Sequence, residues 1–222
     1  MLTGGDRRAA VAWTRPVLSL RGVAGLLAAL LALAWLLRAP LCASPAAGAA
    51  PLTEEEMHAR GVWRAPRLGA DSFVARRRRS TGAYEVALVQ RGKEPFLGAW
   101  ALPGGFVYWM EDPIAAVQRE IKEETNLDVD MQTPPVFVSF RGSPTRDPRA
   151  HSLSAGYVTK VTAASVPDMR AGDDAGNATW FSLADAVNGK VAMAFDHRGI
   201  LKELAAWFEA HGKAKGLYAD TD

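Results

Sequence analysis

Asp112-Pro113 commits the middle of this chain to a helix. An aspartate accepts hydrogen bonds from the open N–H groups of a first turn, and proline at the first helical position lacks only a donor that a helix start leaves unpaired anyway. The helix is predicted to run to about Thr125. Successive residues turn by about 100°, which puts Glu120, Glu123 and Glu124 on one stripe. Ile114, Val117 and Ile121 define the adjacent apolar stripe, which turns inward and leaves the acids at the rim of the buried face. Carboxylates so crowded repel one another unless cations neutralise them or protons are taken up. Hard divalent cations suit such a stripe; magnesium takes oxygen ligands and keeps waters and phosphate oxygens in its remaining positions. Upstream, Gly104-Gly105 offers backbone without side chains, where a carbonyl can reach a metal and a phosphate can come close. Arg119 can hold a neighbouring carboxylate by two parallel hydrogen bonds. Taken alone, Glu-x-x-Glu-Glu reads first as a solvated helix face.

The spacing around it changes that reading. Gly105 is followed after five residues by Glu111. After seven more intervening residues come Arg119-Glu120-Ile121-Lys122-Glu123-Glu124, and after another two an aliphatic Leu127. This pattern resembles the Nudix box of the Nudix hydrolases, and constraints spread over so long a segment make it far more specific than a lone glycine motif. Asn126 stands where the family usually has glycine; asparagine is the next-best residue for a left-handed helix end. Tyr108-Trp109-Met110 departs as well, since relatives often carry an acid, an aromatic and a glycine there. The likeness extends to Leu88–Pro103, Arg146-Asp147-Pro148-Arg149, Leu153–Val161, Ala171–Ala175 before Trp180-Phe181, and Ala194-Phe195-Asp196-His197-Arg198. These segments resemble the ADP-ribose pyrophosphatase branch.

The resemblance implies an α/β fold, a Nudix-type α/β/α sandwich with a mixed sheet, and hydrolysis of a nucleoside diphosphate linked to another moiety by attack of water on phosphorus. It implies Glu120, Glu123, Glu124 and the Gly104 carbonyl as ligands of Mg2+ or Mn2+, with Arg119 and Glu111 paired to brace the helix. Arg91, Gly105, Phe106, Arg146, Asp173 and Asp174 are the expected substrate contacts. The base that takes the proton from water is left open between Glu123 and the pair Asp173, Asp174. ADP-ribose is the leading substrate; NADH, a dinucleoside polyphosphate or an oxidised nucleotide is the alternative, and a non-catalytic ADP-ribose sensor is the rival from another class. A homodimer is a candidate assembly. Related transcriptional regulators carry a DNA-binding domain after the Nudix domain; about ten residues follow the last expected helix here, so a repressor is not expected.

Two strand-like runs, Ser72–Val74 and Tyr84–Val89, flank Arg76–Arg79 and the turn Ser80-Thr81-Gly82. The arginines are read as a solvated hairpin, with a patch for phosphate or anionic lipid as the alternative. A closing helix from Arg198 to His211 places Ile200, Leu201, Leu204 and Phe208 on one side, as a core face. Phe106, Tyr108 and Trp109 are weighed equally as base-stacking and as core or lid residues. His197 is read as capping or packing, with substrate contact as the alternative. The other histidines are scattered and form no ligand set.

The N-terminus belongs to a different regime. Gly22–Leu37 is sixteen residues without a charged or polar side chain, seven of them leucine and five alanine. That is just short of a full membrane span, which takes about 20. Arginines before it and small residues after it fit a secretory signal or an uncleaved membrane anchor; positive charge ahead of the run would send the domain across the membrane. An organelle transit peptide, mitochondrial or plastid, is the alternative, because no acid occurs between Arg7 and Thr53. Residues 1–50 carry a net +4 of the chain's +2, leaving the rest at −2. The basic balance is therefore no argument for nucleic acid as a partner of the folded part. Thr53 and Glu56 form a capping-box pattern for a short lead-in helix within 51–68, ahead of a domain expected over 69–216. Asn177-Ala178-Thr179 is a glycosylation sequon expected in a loop. The single cysteine, Cys42, excludes an internal disulfide and a zinc finger.

Overall fold

A computed structural model describes residues 53–61, 65–172 and 175–222. The apolar run Gly22–Leu37 and the pair Asp173, Asp174 lie outside these residues. Helix α1 (Glu54–Ala59) carries the expected capping box. Glu56 N–H donates to the Thr53 hydroxyl at 3.2 Å, and Thr53 N–H donates to the Glu56 carboxylate at 2.9 Å. No helix among the described residues is long and apolar enough to cross a membrane.

The larger unit runs through β1 (Arg67–Arg78), β2 (Tyr84–Arg91), β3 (Trp100–Ala101), β4 (Gly104–Phe106) and α2 (Pro113–Thr125). It continues with β5 (Val136–Arg141), β6 (Ser152–Thr159), a 3₁₀ turn (Ala163–Asp168), β7 (Ala175–Ser182) and α3 (Leu183–Val187). It ends with α4 (His197–Trp207), a π-helical turn (Phe208–Gly212) and β8 (Ala219–Thr221). Strand β1 is the spine of a mixed sheet. Its first part pairs parallel with β6 and antiparallel with β4, and its second part pairs antiparallel with β2 and parallel with β8.

Side chains alternate across this sheet as the two-residue period of a strand requires. Phe73, Ala75, Val86 and Leu88 face Leu183 of α3 and Ile200, Leu201, Leu204 and Phe208 of the closing helix. Ala70, Val74 and Ala87 face Ala116, Val117 and Ile121 of α2. Burying each large side chain contributes about 1.5–3 kcal/mol. Helices thus cover both faces, and the expected α/β/α layering is present.

Four local expectations are corrected. The expected hairpin forms, with Arg76 opposite Glu85 and Arg77 opposite Tyr84, but its arginines are not simply solvated: Arg76 and Arg77 are half-buried and their guanidinium groups meet acids on neighbouring strands. Arg76 and Arg78 reach Glu85 at 2.6 and 3.1 Å, and Arg77 reaches Asp220 at 2.8 Å. Ile114 stays 38% exposed at the first turn of α2, and Ala116 joins Val117 and Ile121 against the sheet instead. The sequon lies in strand β7, where exposed Asn177 pairs in register with Gln90. The folded unit also runs past residue 216, because β8 adds to β1.

Helix α2 itself begins and ends as its sequence dictates. The Asp112 carboxylate accepts from Ile114 N–H at 2.7 Å. Asn126 adopts φ 57°, and its N–H donates to Lys122 C=O at 3.0 Å.

Candidate active site

Strand β4 lies antiparallel to Gly69–Asp71 of β1 and brings Gly104-Gly105 against α2. Gly104 N–H donates to the Glu124 carboxylate at 2.9 Å. A Cβ on Gly105 would overlap Glu120 Oε1, so the carboxylate keeps this place over the backbone only while residue 105 has no side chain. Glu120 and Glu124 thus bracket the glycine pair, while Glu123 is exposed further out, 3.1 Å from Arg119.

The electrostatics follow from that crowding. Burial pushes the Glu124 carboxyl up to about 8, against the lowering effect of the Gly104 N–H and with Glu120 and Asp71 adding like charge. Burial also raises Glu120, although Arg119 lies only 2.6 Å away. Arg119 grips Glu111 with two hydrogen bonds, at 2.8 and 2.9 Å, and holds that carboxyl down at about 2. Its guanidinium also donates to Phe106 C=O at 3.2 Å, which ties α2 to the end of β4. The expected Arg119–Glu111 brace is therefore formed. Among the described residues no three His, Cys, Asp or Glu side chains are drawn together into a ready metal cage. Arg119 holds Glu120 and Glu123, and Glu124 turns to the Gly104 N–H.

A cleft of about 290 Å³ opens beside this cluster, and Arg91, Gly104, Gly105, Phe106, Arg146 and Glu124 all line it. Arg91 donates to the carbonyl oxygens of Pro95 and Lys93 at 2.7 and 3.2 Å. Arg146 is clamped on Asp196 by two hydrogen bonds at 3.0 and 2.6 Å. Glu111, Arg119, Glu120 and Glu123 are not among the residues that line the cleft. Two of the expected stacking residues are not at the cleft. Tyr108 lies over the Arg119 guanidinium, 3.9 Å from its ring centroid, and Trp109 is 94% exposed.

The sequence reading missed Asp71, Arg149 and Phe195, all of which line the cleft. Asp71 was detectable as a lone charge within the apolar run Ala70–Val74; it is buried and accepts from the Ser154 hydroxyl. Arg149 and Phe195 lie within segments already marked by the family resemblance, which gave no reason to pick these two residues out.

His197 packs as expected and also borders the cleft. Leu102 N–H donates to its Nδ1 at 3.1 Å, so the neutral ring carries its proton on Nε2, 4.0 Å from Asp71 Oδ1. Burial lowers its proton affinity, with nearby Asp71 opposing that effect. Unfolded chain then binds a proton that folded chain refuses, so stability falls as pH drops through the ordinary histidine value of about 6.5 and keeps falling to the lower folded value. We expect denaturant midpoints at pH 7.5 and 5.5 to differ less in His197→Gln than in the wild type. An equal difference in both proteins would remove His197 from the acid response.

The NUDIX domain family matches residues 66–208. The ADP-ribose pyrophosphatase of Methanocaldococcus jannaschii is 39% identical over 123 residues, which is 55% of this chain and 67% of that protein. The ADPR responsive transcriptional repressor NtrR of Acinetobacter baylyi is 29% identical over 127 residues, 56% of this chain but only 48% of the repressor. A MutT/nudix family protein from Enterococcus faecalis superposes with a TM-score of 0.58 at 27% identity, covering 72% of this chain and 70% of that one. With the box spacing, the layered fold and the glycine-bracketing carboxylates in place, this chain belongs to the Nudix family.

Proposed function

We propose that this protein hydrolyses the pyrophosphate link of ADP-ribose, or of a close relative in which a nucleoside diphosphate is joined to another moiety. The observation that carries the reading is the pair Glu120 and Glu124 held against Gly104-Gly105, Glu124 and both glycines lining the cleft, with both carboxyl groups raised in proton affinity. Acids so placed bind a divalent cation in place of protons, and the donor set is all oxygen, as magnesium and manganese prefer. The name of the archaeal relative points to the same substrate.

Glu120, Glu123, Glu124 and the Gly104 carbonyl would hold Mg2+ or Mn2+. When bound, the metal supplies the charge that polarises phosphate oxygens and lowers the pKa of a water. The chain's own groups do the rest. Gly104-Gly105 keeps the cleft floor free of side chains so that a diphosphate lies against backbone. Arg91 puts a positive charge on the cleft wall, where phosphoryl transfer needs one. Arg119, through Glu111 and Phe106 C=O, fixes α2 relative to β4 and so fixes where Glu120 and Glu124 sit over Gly104-Gly105. In this reading Glu123, exposed and 3.1 Å from Arg119, is the first candidate to take the proton from water on a carboxylate oxygen. Asp173 and Asp174 remain the other candidates for that role.

The test is a panel of ADP-ribose, NADH, a dinucleoside polyphosphate and an oxidised nucleotide, each with magnesium and with manganese, read by product chromatography. We expect AMP and ribose 5-phosphate from ADP-ribose at the highest kcat/KM. Tight ADP-ribose binding without turnover under either metal would replace the hydrolase reading with a sensor.

A further inference from the structure

The three residues that lead into the glycine pair are each tied through their backbone to a different element. Leu102 N–H donates to His197 Nδ1 of α4 at 3.1 Å, Ser72 N–H of β1 donates to Pro103 C=O at 2.8 Å, and Gly104 N–H donates to the Glu124 carboxylate of α2 at 2.9 Å. The first tie is the unusual one, because a side chain stands in for a strand. Strand β3 pairs with β2 only as far as Ala101. On its other side Trp100 N–H donates to Ala192 C=O at 2.9 Å, and Ala194 N–H donates to Trp100 C=O at 2.8 Å. Two residues on, at Leu102, that partner backbone has turned into α4, and the His197 ring takes its place. We propose that His197 is a positioning residue for the reaction: its imidazole straps Leu102 and so sets where the Gly104 carbonyl stands. This rests on the hydrolase reading, in which that carbonyl is a metal ligand.

Leu102 is 1% exposed, so its N–H has no water to turn to, and a buried donor without an acceptor is costly. Few side chains suit the spot. The carboxylates of Asp71 and Glu124 already line the cleft here, and a third would add like charge. A neutral imidazole accepts on one edge and presents an N–H on the other, where Asp71 Oδ1 lies at 4.0 Å. Asp71 in turn accepts from the Ser154 hydroxyl and lies against Gly104, where an added Cβ would come within 2.6 Å of Oδ1. His197 therefore bears on the glycine pair from two directions, along the chain through Leu102 and across the sheet through Asp71.

The ring is itself held in place. Asp196, the residue before it, is gripped by the nearly buried Arg146 guanidinium at 3.0 and 2.6 Å, and His197 N–H donates to Ala194 C=O at 3.1 Å. Groups that orient metal ligands without touching the metal are commonly worth about tenfold to a hundredfold in metal affinity.

Two amide variants separate a strap from a filler. In His197→Asn the amide oxygen falls near the place of Nδ1 and can accept from Leu102 N–H. In His197→Gln the amide lies one carbon further out, toward Asp71, and Leu102 loses its acceptor. Both are polar, neutral and close in size. Mn2+ uptake by calorimetry, and amide exchange of the metal-free protein by mass spectrometry, compare them on the full chain. His197→Gln is expected to bind Mn2+ about tenfold or more weakly and to exchange about tenfold or more faster over residues 100–106, while His197→Asn stays within about threefold of wild type in both. The KM for ADP-ribose at saturating metal is expected to stay within about threefold of wild type in each. Equal losses in the two variants overturn the proposal, as does exchange that rises across α4 as much as across 100–106, or wild-type Mn2+ affinity in His197→Gln. Should His197→Gln fold poorly by circular dichroism, His197→Leu, which also lacks the acceptor, takes its place. A wild type that takes up no Mn2+ sinks the hydrolase reading instead, while the exchange comparison still decides whether His197 straps Leu102.

Discussion

Glu124→Gln is expected to lower kcat for ADP-ribose by about 10²–10⁴. Charge stabilisation by a bound cation is worth several kcal/mol, and each 1.4 kcal/mol is about a factor of ten in rate. The amide keeps an oxygen to accept the Gly104 N–H, so the cleft floor persists while the charge that recruits the cation is gone. Stability moves the other way. With divalent ions chelated, the wild-type carboxyl titrates near 8 when folded and near its ordinary 4.5 when unfolded. The folded state therefore holds the extra proton between those values. Its stabilising contribution is complete below about pH 4.5 and is lost as pH rises through 8. Glutamine has no proton to lose, so the variant should gain on the wild type across that window. Steady-state turnover with magnesium and chelated denaturation curves at pH 5 and 8.5 measure both effects. Turnover within tenfold of wild type would remove Glu124 from the metal site, and parallel pH curves would show that its carboxyl is not held protonated.

Much of the site was legible because its determinants are local. Asp112-Pro113, the glutamate spacing and Asn126 act within one helix, and the helix forms where they place it, with the predicted caps. The Glu111–Arg119 brace spans only eight residues, so its geometry is nearly fixed by the helix start. The layers were legible through the family resemblance and through the two-residue alternation of the strands. What could not be read depends on partners far away in sequence. Arg77 finds its ion-pair partner in Asp220, 143 residues on, and a window around Arg76–Arg79 shows only unpaired charge. Asp71 and His197 meet because β1 and the start of α4 converge on Leu102 and Ser154. Phe195 owes its place to a backbone at φ 48° and to Phe96 and Arg91, about a hundred residues earlier, so the resemblance marks its segment without showing what its ring meets.

The two adjacent glycines should fail in different ways when each is given a methyl group. At Gly104 a Cβ would sit 2.5 Å from the Ala70 carbonyl oxygen and 2.7 Å from Asp71 Cα. Both belong to the backbone of β1, which is pinned on its other side by eight register pairs with β6. That backbone cannot retreat without giving up sheet hydrogen bonds, so Gly104→Ala should cost about 3 kcal/mol or more of stability. At Gly105 the collision is with the Glu120 carboxylate, the far end of a flexible side chain. Glu120 can swing aside, so Gly105→Ala should fold with a loss of about 1 kcal/mol or less. The displaced carboxylate no longer reaches the glycine pair, and turnover should drop about a hundredfold or more. Chemical denaturation and kcat on the two single variants separate the cases. Equal destabilisation would show that β1 yields as readily as a side chain. Full activity in a well-folded Gly105→Ala would show that the position of Glu120 over Gly105 is not the one the reaction uses.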